Sequence, residues 1–248
     1  HYGIAGYYAT MATSQGMIGI TGTNARPSIA PTFGVENMLG TNPLTVGIPT
    51  DEDFPFVLDC ATSIVQRGKI EYYARVGKDT PAGQVIDHEG RIRTDSEGIL
   101  EALTQGTAAL TPLGGAGEEM GGYKGYGYAT VVEILSAALQ QGSYLKMLTG
   151  VRDGKKVPYG LGHFFLAIDV AAFTDPADFR KTSGEILREL RASQKAPGHD
   201  RIFTAGEKEY ETRLYRQDKG VPFNAGVMKE FIEVRDALGL VQHRFPFE

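Results

Sequence analysis

The sequence has a single cysteine, Cys60, among 248 residues. No intrachain disulfide can form, and a cysteine-rich metal site is excluded. A reducing, cytoplasmic setting is the simplest expectation. No uncharged apolar run of about 18 residues occurs, which argues against a membrane span, and no signal-peptide pattern opens the chain. A basic excess is missing too: 25 Lys and Arg stand against 30 Asp and Glu, a net charge of −5. Nucleic acid is therefore not the expected partner. The histidines, His1, His88, His163, His199 and His243, are never three or four residues apart, so no helix-borne metal motif stands out. There is no G-x-G-x-x-G and no Walker A spacing, which removes the two common nucleotide fingerprints. No fixed-period repeat and no low-complexity tract occurs.

Glycine, by contrast, is abundant and clusters at turns. The densest cluster is 121–127, Gly-Gly-Tyr-Lys-Gly-Tyr-Gly, followed by the nearly apolar run 128–139. It reads as a glycine-rich turn feeding a buried helix over 124–141, with Lys124 at the junction. Free N–H groups and the positive end of the helix dipole suit a phosphate or carboxylate there. The alternative is a tight turn that lets the helix pack closely.

The remaining pattern alternates strands and helices. A helix is expected over 5–15, a strand over 17–22, and a long Pro/Gly/Asn-rich loop over 23–42 whose length fits a functional role. Strands are expected over 43–48 and 56–59, a helix over 61–75, and an irregular stretch over 77–90. A second helix, 96–105, is stopped by Gly106. The apolar segment 161–170 reads as a central strand. Asp175-Pro176 opens a helix running to about 193. Further helices cover 207–219, stopped by Gly220, and a last stretch capped by Asn224. Helices dominate after residue 172, so the expected division is 1–172 and 173–248.

Several residues carry chemistry. Asp59-Cys60-Ala61-Thr62-Ser63 ends a strand and opens a helix. Asp59 either caps that helix or reaches a ligand at the sheet edge. Cys60 would gain thiolate character there, but no histidine lies near it in sequence, which argues against a cysteine nucleophile. His163 reads as a satisfied core residue. His1 precedes a glycine-rich turn into a helix, where an imidazole can face a cleft. Gly206, Glu207 and Lys208 lie where a loop enters a helix, and Glu207 favours that end of the dipole. The turn Gly40-Thr41-Asn42-Pro43 carries two polar side chains.

Taken in order, 1–8 (HYGIAGYY), 39–44 (LGTNPL), 59–63 (DCATS), 122–127 (GYKGYG) and 162–169 (GHFFLAID) resemble the malate/L-lactate dehydrogenase family. This family is unrelated to the Rossmann-type dehydrogenases, and the resemblance spans almost the whole chain. The family also holds ureidoglycolate and sulfolactate dehydrogenases and a reductase of cyclic α-imino acids. The resemblance implies hydride transfer between NAD, with NADP as the other option, and C2 of a small 2-hydroxy or 2-oxo acid, malate first. It implies a mixed α/β, non-Rossmann cofactor domain with a mixed, largely antiparallel sheet and a helical C-terminal part. His1 maps to the proton acceptor. Asp59, Cys60, Ala61, Lys124, Gly125, Gly206, Glu207 and Lys208 map to cofactor contacts, and a further contact falls near Ala25. Cys60 stands where methionine is common. A homodimer is expected, with no nucleic acid or membrane partner. The start at His1, without methionine, leads us to expect the later part of a longer protein whose earlier segment binds the substrate carboxylate. An imino-acid reductase and a catalytically incomplete nucleotide-binding fragment are the competing expectations.

Overall fold

The computed structural model describes residues 2–248. It forms two compact units, one reaching to Gly206 and one spanning Glu207–Glu248. This division falls downstream of the compositional boundary near residue 172.

In the first unit the chain runs α1 (Ala5–Thr13), β1 (Ile18–Thr23), β2 (Leu44–Ile48), β3 (Phe56–Cys60), α2 (Arg67–Arg75), β4 (Val85–Asp87), α3 (Ser96–Gln105) and β5 (Ala108–Leu110). It continues through α4 (Gly122–Ala137), β6 (Val151–Arg152), β7 (Lys155–Lys156), β8 (His163–Ile168) and α5 (Pro176–Ala192). The main sheet has the order β3-β2-β1-β8 and is antiparallel throughout. Helix α1 lies against β1, β2 and β3. Its close approach rests on two strand glycines paired in register, Gly19 and Gly47. A Cβ on Gly19 would meet the Ala12 Cβ at 2.9 Å, and one on Gly47 would meet the Ala9 carbonyl at 3.1 Å. Helix α4 packs against β1 and β8. The largest apolar cluster joins Ile29 and Leu39 of the long loop to Ile70 (α2), Val85 (β4), Ile99 and Ala102 (α3), Ala108 and Leu110 (β5) and Ala129 (α4).

The second unit holds α6 (Glu207–Lys219) and α7 (Ala225–Ala237). Gly220 follows α6 with φ +78°, and the Asn224 side chain accepts from Val227 N–H. In the first unit Gly106 ends α3 in the left-handed region, and the Asp175 carboxylate caps α5. The fold is thus mixed α/β with an antiparallel sheet and a helical C-terminal part, as expected.

Three local expectations fail. Residues 61–66 are irregular and α2 starts only at Arg67, because remote partners hold this stretch. Thr62 N–H donates to Thr41 O at 3.0 Å, Leu113 N–H donates to Thr62 O at 2.8 Å, and Ile64 N–H donates to Thr111 O at 3.1 Å. Strand β8 lies at the sheet edge, with Phe165 57% and Leu166 50% exposed. Helix α4 begins at Gly122, and it is not wholly buried: Tyr128, Val131 and Ile134 are exposed. No helix among the described residues is long and apolar enough to cross a membrane.

Candidate functional site

The site is built around the exposed end of β3. Asp59 does not cap α2. Its Oδ2 accepts from Gly6 N–H at 2.7 Å, and its Oδ1 accepts from Thr45 Oγ1 at 2.9 Å. The main-chain amide it satisfies lies in the first turn of α1, where donors lack intrahelical partners. Asp59 thereby fixes the start of the helix that follows His1, Tyr2 and Gly3. His1 itself lies outside the described residues. Tyr2 packs on Tyr8 and against His163, with ring centroids 5.1 and 4.5 Å apart, and its hydroxyl lies 3.2 Å from Thr21 Oγ1. Burial raises the Tyr2 pKa above the usual phenol value.

Cys60 is exposed on the same strand end. Burial of its sulfur, and then the Asp59 charge, push its thiol above the ordinary range. The thiolate character expected from a helix N-terminus is absent because no helix starts there. His163 is not a satisfied core residue either. Its Nε2 is buried with no hydrogen-bond partner among the described residues, and burial lowers its pKa.

Strand exit and α4 are brought together through Leu113. Its N–H donates to Thr62 O, and its carbonyl accepts from Gly125 N–H at 3.2 Å. A Cβ on Gly125 would fall on the Leu113 backbone, so this glycine permits close packing, as the alternative reading held. The first turn of α4 is less open than expected. Gly122 N–H bonds Gly117 O, and Lys124 N–H bonds Gly121 O. Backbone donors are therefore largely used, and the exposed Lys124 ammonium, 5.7 Å above the Tyr123 ring, is the available charge. Gly206, φ +92°, lies beside Pro55 and Val57 near the start of β3. Glu207 and Lys208 open α6 in the second unit.

Two cavities flank this region. A groove of about 680 Å³ is mainly apolar, lined by Met38, Tyr126, Ile134, Tyr144 and Met147 among others, and touches none of the expected cofactor contacts. A polar cavity of about 640 Å³ includes Ala25, Arg26, Thr41, Gln66, Arg67 and Thr104. Its size suits a small-molecule site, and it takes in the position expected near Ala25. Arg26 and Arg67 went unnoticed in the sequence because neither belongs to a recognisable motif. No group of three potential metal ligands occurs among the described residues.

This arrangement has relatives. The family described as malate/L-lactate dehydrogenase matches residues 1–232. The chain belongs to the malate/L-lactate dehydrogenase family. Within it, a malate dehydrogenase of Pyrococcus horikoshii is 43% identical over 97% of this chain and 64% of its own length. An L-sulfolactate dehydrogenase of Methanocaldococcus jannaschii is 34% identical, with the same two coverages. The crystal structure of malate dehydrogenase from Entamoeba histolytica superposes with a TM-score of 0.90 at 44% identity, covering 99% of this chain and 67% of that one. The chain thus spans about two thirds of the length of these family members.

Proposed function

We propose that this chain transfers hydride between NAD(P) and C2 of a small 2-hydroxy or 2-oxo acid, malate and oxaloacetate first. The observation that carries the proposal is the convergence at β3. Asp59 anchors the helix that follows His1, while Leu113 joins the strand exit to the start of α4. Malate dehydrogenases at over 40% identity support the substrate class. A nicotinamide dinucleotide fits what lines the region: an exposed ammonium at Lys124, an exposed strand end at Asp59 and Cys60, and a polar cavity with two arginines. When bound, the dinucleotide supplies or accepts the hydride.

The protein's own part is orientation and proton handling. His1 takes the hydroxyl proton as the carbonyl forms and returns it in the reverse direction, a task suited to a group titrating near neutrality. Asp59, itself held by Thr45, anchors the first turn of α1, the helix that follows His1 in sequence. Lys124 attracts the phosphates, and Cys60 and Ala61 contribute the strand-end backbone. Gly206, beside Pro55 and Val57, adds a further cofactor contact, and a homodimer is the working assembly.

The test is NAD(P)H absorbance with oxaloacetate, pyruvate, the oxo acid of sulfolactate and a cyclic α-imino acid. Failure to turn over any 2-oxo acid sinks the proposal. Turnover of the imino acid alone replaces it with the reductase reading. His1→Ala abolishes turnover and leaves NADH affinity nearly intact; a large loss of NADH binding contradicts its acid–base role.

A further inference from the structure

Asn42 is fully buried, and every polar group of its side chain is used. Its backbone is left-handed, φ +34°, a region asparagine enters more readily than other non-glycine residues. Its Oδ1 accepts from Ala25 N–H at 3.1 Å. Its Nδ2 donates to Ala129 O at 3.1 Å and to Glu133 Oε2 at 2.8 Å. Its main-chain carbonyl accepts from Thr62 Oγ1 at 3.0 Å. Glu133 is 6% exposed, and its other oxygen accepts from Leu145 N–H at 2.8 Å. One residue therefore joins the Ala25 loop, the strand exit and α4, and each of these borders the region assigned above to the dinucleotide.

We propose that Asn42, clamped by Glu133, is a positioning residue that sets the spacing of these three segments and thereby the affinity for the dinucleotide. The inference rests on the dehydrogenase reading. Asn42 touches no reacting atom; it acts through the backbone of Ala25 and the hydroxyl of Thr62.

The pair is polarised in one sense, which makes it testable by exchange. Asn42→Asp sets two carboxyl groups against each other. Glu133→Gln leaves two donors facing one another, at Asn42 or at Leu145, whichever way the amide turns. The double variant Asn42→Asp/Glu133→Gln reverses donor and acceptor. The introduced amide then donates to the introduced carboxylate and still accepts from Leu145 N–H. The bond to Ala129 O is lost, and a carboxylate oxygen then faces that carbonyl.

NADH fluorescence titration, kcat at saturating dinucleotide and the thermal midpoint are measured on all four proteins. Each single variant weakens NADH binding about tenfold, a coupling usual for contacting polar groups. Saturated kcat stays near wild type, as expected when binding common to ground and transition states is lost. The double variant recovers part of the affinity and binds more tightly than either single. Folded singles with wild-type affinity, or a double no tighter than the weaker single, overturn the inference. If the singles do not fold, Thr62→Val decides, since it removes the hydroxyl bonds to the adjoining Thr41 and Asn42 carbonyls. Weaker NADH binding at an unchanged midpoint supports the inference, and unchanged binding overturns it. A wild-type protein that binds no dinucleotide overturns the dehydrogenase reading and this inference together.

Discussion

At the scale of single residues, the end of β3 puts opposite demands on neighbours. Asp59 is held by two donors, while the thiol pKa of the exposed Cys60 beside it is pushed up by partial desolvation of its sulfur and by that carboxylate. Alkylation of Cys60 by iodoacetamide at neutral pH should therefore be slower than for a free thiol, with the rate rising only above the ordinary cysteine range. Labelling at the free-thiol rate would refute this. Gly125→Ala drives a methyl into the Leu113 backbone and should cost about 1–3 kcal/mol, as overpacking does. Chemical denaturation measures it, and a neutral result would mean that α4 shifts freely. The sequence made Asp59, Lys124 and Gly125 visible as points, because glycine, charge and strand end are local signals. It did not show their partners. Gly6 lies 53 residues from Asp59, and Ala25, Ala129 and Glu133 lie 17, 87 and 91 residues from Asn42. No local pattern encodes such pairings.

At the scale of elements, legibility followed the same rule. Helices bounded by their own signals were readable: Gly106 after α3, Asp175-Pro176 before α5, and Asn224 before α7. The three-residue strands β4 and β5 are too short to show a period. Residues 61–66 look helical in isolation and are drawn out by bonds to Thr41, Thr111 and Leu113. The apolar run of β8 signals burial, yet the strand lies at an edge with Phe165 and Leu166 half exposed. His163 on this strand carries a pH dependence. Burial depresses its pKa, so the unfolded chain takes up the proton first. Its stabilising effect is complete above the ordinary histidine value of about 6.5 and is lost as pH falls through that value toward the folded one. His163→Phe should flatten the loss of urea resistance as pH falls below about 6.5. An unchanged slope would assign the acid sensitivity elsewhere.

At the scale of the molecule, burial is uneven. Ile70, Val85, Ile99 and Leu110 of the first unit are almost wholly inaccessible, whereas α7 has no buried residue. Amide hydrogen exchange should accordingly be slowest in β4, β5 and α3 and fastest in α7, since opening free energy follows local apolar contact. Equal protection across both units would contradict this. The Asp59–Gly6 bond also has a consequence in time. During synthesis at about 5–20 residues per second, the amide of Gly6 emerges roughly 3–10 s before the carboxylate that receives it. Through that interval the first turn of α1 lacks the acceptor that anchors it. The anchoring of α1 therefore waits on the third strand of the nascent sheet, however early the helix itself is made.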